Sequence, residues 1–114
     1  MRLLMVLLLV VGIAAAADVS GKWSIQGDVQ GNAVGLDCSA LKQTPDGKIT
    51  GSCTINGGDA VTVNGEVKGD KVRFSFETGG YTLEYAGDLS ADAMKGEIQV
   101  AGVSGTFEGK RVGK

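Results

Sequence analysis

The chain has no histidine among its 114 residues, and it has only one proline, two cysteines and one tryptophan. Without histidine it lacks the commonest general base and the commonest metal ligand of proteins. Ser-His-Asp and Cys-His nucleophile systems are therefore excluded. Paired carboxylates are the remaining route to acid–base catalysis, but the acidic residues stand mostly at turns or on the polar sides of strands. We therefore expect no catalytic residues and no enzyme activity.

Several classes of binding site also lack their sequence signals. The aspartates do not form the Asp-x-Asp-x-Asp-Gly pattern of calcium loops, and no glycine-rich loop leads into a helix that would hold a phosphate. The net charge of −2, with both signs interspersed, gives no attraction to nucleic acid or anionic lipid. The aromatic residues do not alternate with a basic patch, as in single-strand nucleic-acid binding. We predict no metal, no cofactor and no nucleic-acid partner.

The first 17 residues have the composition of a secretory signal peptide. Arg2 gives a charged start, Leu3 to Ile13 is an apolar run, and small residues end at Ala17. The alternative is a retained anchor, but the apolar stretch is shorter than the roughly 20 residues that a bilayer span needs. Asp18 stands where a lipoprotein would carry cysteine. We expect cleavage after Ala17, a secreted or periplasmic location without membrane attachment, and one domain over residues 18–114.

Beyond the leader, apolar and polar residues alternate with period two, and no segment keeps a helical period. The pattern gives eight candidate strands, joined by short turns in a chain that has 19 glycines. Short turns make sequence neighbours pair antiparallel, and a Greek key would need a long return connection. An open sheet would leave its apolar face bare, whereas closure covers that face and removes the edges. The sequence therefore predicts an all-β, eight-stranded, antiparallel up-and-down barrel.

Two positions interrupt this alternation. Leu41 falls on the polar side of the second strand, which predicts a β-bulge near Ala40. Asn64-Gly65 is a strong hairpin signal, yet the alternation runs through it. We interpret it as a bend inside one strand, in preference to a turn before a ninth short strand.

The two cysteines of an exported chain predict one disulfide. Cys38 and Cys53 flank the turn Thr44–Gly47. If these four residues form the loop, Gln43 pairs with Lys48, and Cys38 then lies directly opposite Cys53. A three-residue Pro-Asp-Gly loop would pair the threonine with Lys48, shift the register by one residue and put the sulfurs on opposite faces. We predict the four-residue loop and a bridge on the inner face.

Trp23 in the first strand and Arg111 in the last share the apolar face, and closure makes these strands neighbours. The Gly-x-Trp of Gly21 and Trp23, with Arg111, resembles the signature of the calycins, the superfamily of lipocalins, fatty-acid-binding proteins and avidins. The resemblance implies structural roles for Gly21 and Arg111. The tryptophan would close one end of the barrel, with the guanidinium within about 6 Å of its ring.

The chain departs from each calycin family. It is shorter than lipocalins, it has no room for the two helices of fatty-acid-binding proteins, and it has one tryptophan where avidins place several around biotin. The resemblance therefore implies the barrel, and it implies no known ligand.

An eight-stranded barrel is just wide enough to be filled by side chains or to hold one small ligand. Inward glycines leave space or admit large neighbours, so both outcomes stay open. Parity predicts outward positions for Arg73 and Glu84. A buried tyrosine hydroxyl needs a partner, so the two tyrosines are the candidates to orient a ligand. The candidate ligand-binding residues are the aromatic side chains predicted to project inward: Trp23, Phe74, Phe76, Tyr81, Tyr85 and Phe107.

Two functions of different class follow. The first is non-catalytic binding of a small apolar or amphipathic molecule by an exported barrel. The second is a structural module with a filled interior, whose outer surface contacts a protein or a glycan. An oligomeric barrel, in the manner of avidins, is a third alternative.

Overall fold

The structure is a computed structural model that describes residues 18–112, so the predicted leader lies outside the described residues. Eight strands form one closed antiparallel barrel in sequence order, which confirms the predicted up-and-down barrel. The strands are β1 (Gly21–Val29), β2 (Asn32–Gln43), β3 (Lys48–Ile55), β4 (Ala60–Lys68), β5 (Lys71–Thr78), β6 (Tyr81–Leu89), β7 (Ala93–Val100) and β8 (Val103–Arg111). Within residues 18–112, no helix is long and apolar enough to cross a membrane.

The meander gives the barrel two distinct ends. The lower end carries the β2–β3, β4–β5 and β6–β7 turns, together with the start of β1 and the end of β8. The upper end carries the other four turns. β1 pairs with β8 from Trp23 opposite Arg111 to Asp28 opposite Thr106, so the first and last strands close the ring. Because of this closure, β1 and β8 pair with each other and neither is left as an open edge of the sheet.

Period-two alternation accounts for the interior. In β5, Val72, Phe74 and Phe76 are buried, whereas Lys71 and Arg73 are exposed. Glu84 on β6 is exposed as well, so the predicted outward positions of Arg73 and Glu84 are confirmed. Among the described residues, no polar or charged side chain other than tyrosine is buried. The interior is therefore a single apolar core that contains contributions from all eight strands.

The predicted bulge in β2 is confirmed. The β2–β3 register shifts between Cys38 and Lys42, and the β1–β2 register shifts in the same region. The extra residue turns Leu41 inward, where it is buried, and leaves Ala40 exposed. Strict alternation along β2 puts Ala40 on the apolar face, and this position for Ala40 is wrong.

The disulfide is confirmed, but the loop predicted beside it is wrong. Next to the turn, Gln43 pairs with Ile49, which is the register of the three-residue loop, and Thr44 N–H donates to Lys48 O at 2.9 Å. The bulge then restores the other register, and Cys38 lies opposite Cys53. The two residues are joined by a disulfide with their Cα atoms 4.1 Å apart. The bulge thus compensates for the shorter loop and brings both sulfurs to the inner face.

Asn64-Gly65 lies within the continuous strand β4, which confirms the bend in place of a ninth strand. Gly65 pairs with Phe74 of β5, and a Cβ at Gly65 would lie 2.0 Å from the Arg73 carbonyl oxygen. Gly87 and Gly96 make a similar close approach between β6 and β7, where a Cβ on Gly87 would lie 2.1 Å from Lys95 O. These inward glycines let neighbouring strands coil tightly around the core.

Candidate functional site

The lower end of the barrel is closed by an arginine that lies over a tryptophan. Arg111 Cζ is 4.7 Å from the Trp23 ring centroid, so the predicted contact is present. The guanidinium also donates to three carbonyl oxygens: Nη1 to Ser20 O at 2.5 Å, and Nη2 to Asp18 O at 2.6 Å and to Ala91 O at 3.0 Å. Arg111 therefore fastens the chain before β1 and the β6–β7 turn to the end of β8.

The segment Asp18–Ser20 completes this closure. Val19 is fully buried, and its carbonyl oxygen accepts a hydrogen bond from Trp23 Nε1 at 2.8 Å. The Ser20 N–H donates to the Asp18 carboxylate and holds the pKa of that carboxyl below its ordinary value. Gly21 has a φ of +121°, and a Cβ there would lie 3.2 Å from the arginine Nη1. We call residues 18–20, Trp23 and Arg111 the lower plug.

Four aromatic rings meet halfway along the barrel. Tyr85 stands at the middle of β6 and stacks on Phe74, with ring centroids 4.7 Å apart. Phe107 meets the Tyr85 ring edge-on at 5.0 Å, and Phe76 lies 5.7 Å from it. We call these four residues the aromatic layer. Four of the six predicted site residues are therefore brought together around Tyr85.

The Tyr85 hydroxyl is a polar atom without a partner in this layer. Tyr85 is fully buried, and within residues 18–112 its Oη has no hydrogen-bond partner. A phenol with its ordinary pKa of about 10 is protonated at physiological pH, and burial raises the pKa of this one further. A buried hydroxyl that makes no hydrogen bond costs free energy of folding. This atom is the one buried polar feature that packing among the described residues does not explain.

The upper end differs from the lower end. Five partly buried apolar side chains pack against the core, and each lies within three residues of the upper end of its strand: Val34, Ile55, Val61, Val100 and Val103. We call these five the upper rim. Tight turns join the strands above the rim, with positive φ at Gln30, Asn56 and Ala101. The rim therefore presents apolar surface to water at one end of the barrel.

The prediction that Tyr81 projects inward is wrong, because this side chain is 57% exposed. Tyr81 pairs with Thr78 across the two-residue turn Gly79-Gly80, at the extreme upper end of β6. Tyr81 is on the same face of β6 as Tyr85, but it lies above the core. The sixth predicted residue, Trp23, is buried in the lower plug and contacts Arg111 instead of the aromatic layer.

Sequence reasoning missed the upper rim as a group. Its signal was available, since every rim residue lies on the apolar face within the first three or the last residue of its strand, on the side of an upper turn. The sequence prediction used only the inward aromatic residues, and four of these lie in the middle of the barrel. The predicted meander gives the direction of each strand, but the alternation does not show how deeply each apolar residue is buried.

The rest of the described chain offers little chemistry. No group of three or more His, Cys, Asp or Glu residues that could hold a metal ion is present within residues 18–112. An open groove of about 650 Å³ crosses the outer wall over β4 to β7, and exposed charged residues such as Arg73, Glu84 and Glu97 line it. Arg73 and Glu66 lie opposite each other at its side.

Two solved structures of similar fold are designed proteins. The chain is similar to a redesigned β-barrel, mFAP1, bound to DFHBI, with a TM-score of 0.60 and 18% identity over 81% of this chain and 94% of that one. It is also similar to a de novo designed fluorescence-activating β-barrel, with a TM-score of 0.59 and 19% identity over 82% and 93% of the two chains. At this identity the likeness shows a shared small antiparallel barrel fold.

No family model matches the sequence. No curated protein matches it either.

Proposed function

We propose that this chain is an exported, non-catalytic barrel that binds one small apolar or amphipathic molecule between the upper rim and the aromatic layer. The observation that carries the proposal is the difference between the two ends. Apolar side chains are only partly buried around the upper end, whereas the lower plug closes the other end through Trp23 and Arg111.

The physical argument rests on burial of that rim. Covering apolar surface gains about 25 cal/mol for each Å² removed from water, so an apolar occupant is favoured there. Since no charged side chain is buried among residues 18–112, the interior offers no partner for a charged ligand group. The redesigned barrel of similar fold is bound to DFHBI, which supports a small-molecule occupant for a barrel of this size.

Further observations support the other parts of the proposal. The Cys38–Cys53 disulfide fits an oxidising compartment and thus export. The absence of histidine from the sequence supports a non-catalytic role. The stacking of Arg111 over Trp23 supports a relation to the calycins. Each of these points is consistent with a small exported carrier or receptor of apolar molecules.

Titration with the neutral fluorescent probe N-phenyl-1-naphthylamine tests the proposal. We expect saturable binding of one probe per chain, and we expect Val103→Asp to weaken it by placing a charge in the upper rim. Val112 is 43% exposed beyond the lower end of β8, so Val112→Asp is the matched control and should bind as the unmodified chain does. Circular dichroism checks that both variants are folded. Probe uptake only on unfolding, or equal binding by both variants, would contradict the proposal.

A structural or protein-interaction module is the second candidate. Its specific support is the aromatic layer itself, because rings at 4.7 to 6.1 Å from one another fill the middle of the barrel. In that case the upper rim would be covered by another protein or by a second copy. Sedimentation over a range of concentrations separates the cases, since self-association would be lost in Val103→Asp and kept in Val112→Asp.

A further inference from the structure

The buried hydroxyl of Tyr85 indicates which chemical class of ligand the barrel accepts. Its ring is held on two sides, by stacking on Phe74 and by an edge contact with Phe107. The hydroxyl itself has no hydrogen-bond partner among residues 18–112, although the whole residue is buried. Buried polar groups in proteins are nearly always hydrogen-bonded, so an unpaired one marks a position where a partner group is expected.

We propose that the ligand is a neutral, mainly apolar molecule with one hydrogen-bond acceptor, such as a ketone or ester oxygen, which accepts a hydrogen bond from the Tyr85 hydroxyl. This inference rests on the proposed function, and it adds the chemistry of the ligand and its orientation. The acceptor lies deep, at the aromatic layer, and the apolar body extends toward the upper rim.

The donor role of Tyr85 follows from its chemistry. A phenol has one O–H to donate, and at neutral pH it is protonated. Because the ring is packed on Phe74 and Phe107, its position is fixed before a ligand arrives. A donor that is already oriented and desolvated loses little on binding an acceptor.

The surroundings of Tyr85 exclude other ligand classes. Within the described chain, no charged side chain is buried, so a carboxylate or an ammonium group would enter the core without a counter-charge. A sugar or another polyhydroxylated molecule would need many buried partners, whereas the core offers one. The lower plug occupies the other end of the barrel through Val19 and Trp23, so the ligand enters acceptor-first from the upper end.

Three probes of one shape test this inference by equilibrium dialysis. They are 2-acetylnaphthalene, which has a carbonyl acceptor; 2-isopropenylnaphthalene, in which a methylene group replaces that oxygen; and 2-naphthoate, which is an anion. Each probe is measured against the unmodified chain, Tyr85→Phe and Tyr81→Phe. The last variant is the matched control, because it makes the same change at a side chain that is 57% exposed.

We expect Tyr85→Phe to weaken binding of the ketone about fivefold, the size of one hydrogen bond between neutral groups. Binding of the hydrocarbon should not weaken in this variant, and Tyr81→Phe should leave both probes unchanged. The anion should not bind to any of the three proteins. Equal loss of ketone and hydrocarbon binding in Tyr85→Phe, or no loss of either, would overturn the inference.

The outcomes also separate this inference from the proposed function. If the hydrocarbon binds saturably and Tyr85→Phe does not affect the ketone, the barrel binds apolar molecules but the hydroxyl does not select them. If no probe binds any of the proteins while they remain folded, the proposed function itself fails. Preferential binding of 2-naphthoate would show that the interior holds a positive partner, which contradicts the ligand class.

Discussion

Replacing Tyr85 with phenylalanine is expected to stabilise the unliganded protein. The change removes one oxygen atom and keeps the ring that stacks on Phe74 at 4.7 Å and meets Phe107 at 5.0 Å. A buried hydroxyl without a partner costs roughly 1–3 kcal/mol in proteins. We therefore expect the free energy of unfolding to rise by about 1 kcal/mol at pH 7, or about 4–8 °C in melting temperature for a domain of this size.

The same substitution has a predicted dependence on pH. Burial raises the pKa of the Tyr85 hydroxyl, so the folded protein keeps a proton that the unfolded chain releases above about pH 10. Below about pH 10 this difference in proton binding does not change the free energy of unfolding, and above it the free energy of unfolding falls by up to about 1.4 kcal/mol per pH unit. The unmodified chain should therefore lose stability in alkali faster than Tyr85→Phe does, and the advantage of the variant should grow.

Urea unfolding followed by the fluorescence of Trp23 measures both effects. The disulfide must stay oxidised throughout, so that both proteins share one unfolded state. Tyr81→Phe serves as the control and should change the free energy of unfolding by no more than about 0.5 kcal/mol, because its side chain is exposed. A loss of about 1 kcal/mol or more in Tyr85→Phe would refute the reasoning, since it would show that the hydroxyl is already hydrogen-bonded in the folded protein.

Arg111→Lys is expected to lower the free energy of unfolding by about 2 kcal/mol, because lysine keeps the charge but not the forked hydrogen bonds; unchanged urea unfolding would contradict this. Gly87→Ala should cost about 3 kcal/mol, since its Cβ would lie 2.1 Å from a backbone oxygen. Gly58→Ala, whose nearest contact is 3.4 Å, should change it little, and similar melting temperatures for the two would refute the steric argument. Replacing both Cys38 and Cys53 with alanine should lower the free energy of unfolding by about 3 kcal/mol, the value for a cross-link between residues 15 positions apart. Thiol titration of the unmodified chain, denatured but not reduced, should find no free thiol.

Strand positions could be predicted from the sequence because every strand buries one face. Val72, Phe74 and Phe76 alternate with polar residues, and only one register puts all three in the core. The Trp23–Arg111 contact could be predicted for the same reason, since both lie on the inner face and closure makes their strands adjacent.

Local geometry was harder to predict than pairing. The loop at Pro45 has three residues, and the bulge near Leu41 offsets it, so the disulfide between Cys38 and Cys53 forms although the register beside the turn differs from the one predicted. Two irregularities that cancel leave the same pairing as no irregularity. Tyr81 shows a second reason why the sequence prediction failed. Alternation predicts which face of the strand a side chain is on, but not whether the core extends as far as that residue.

The β1–β8 pairing has a consequence for the order of folding. The other strand pairs are hairpins with short connections, whereas this seam joins residues from opposite ends of the domain, such as Ser24 and Lys110. Loop-closure entropy grows with separation, so the seam costs about 2–3 kcal/mol more to close than a hairpin does. Hairpins should therefore form first and the seam last.

Until the seam closes, β1 and β8 each expose an open edge that another chain can pair with. Arg111 stands at the lower end of this seam, where it contacts Trp23 of β1 and the carbonyl oxygen of Ser20. These contacts act across the two strands that meet last. We therefore expect Arg111 to stabilise the closed ring against strand exchange between copies, in addition to stabilising the folded barrel.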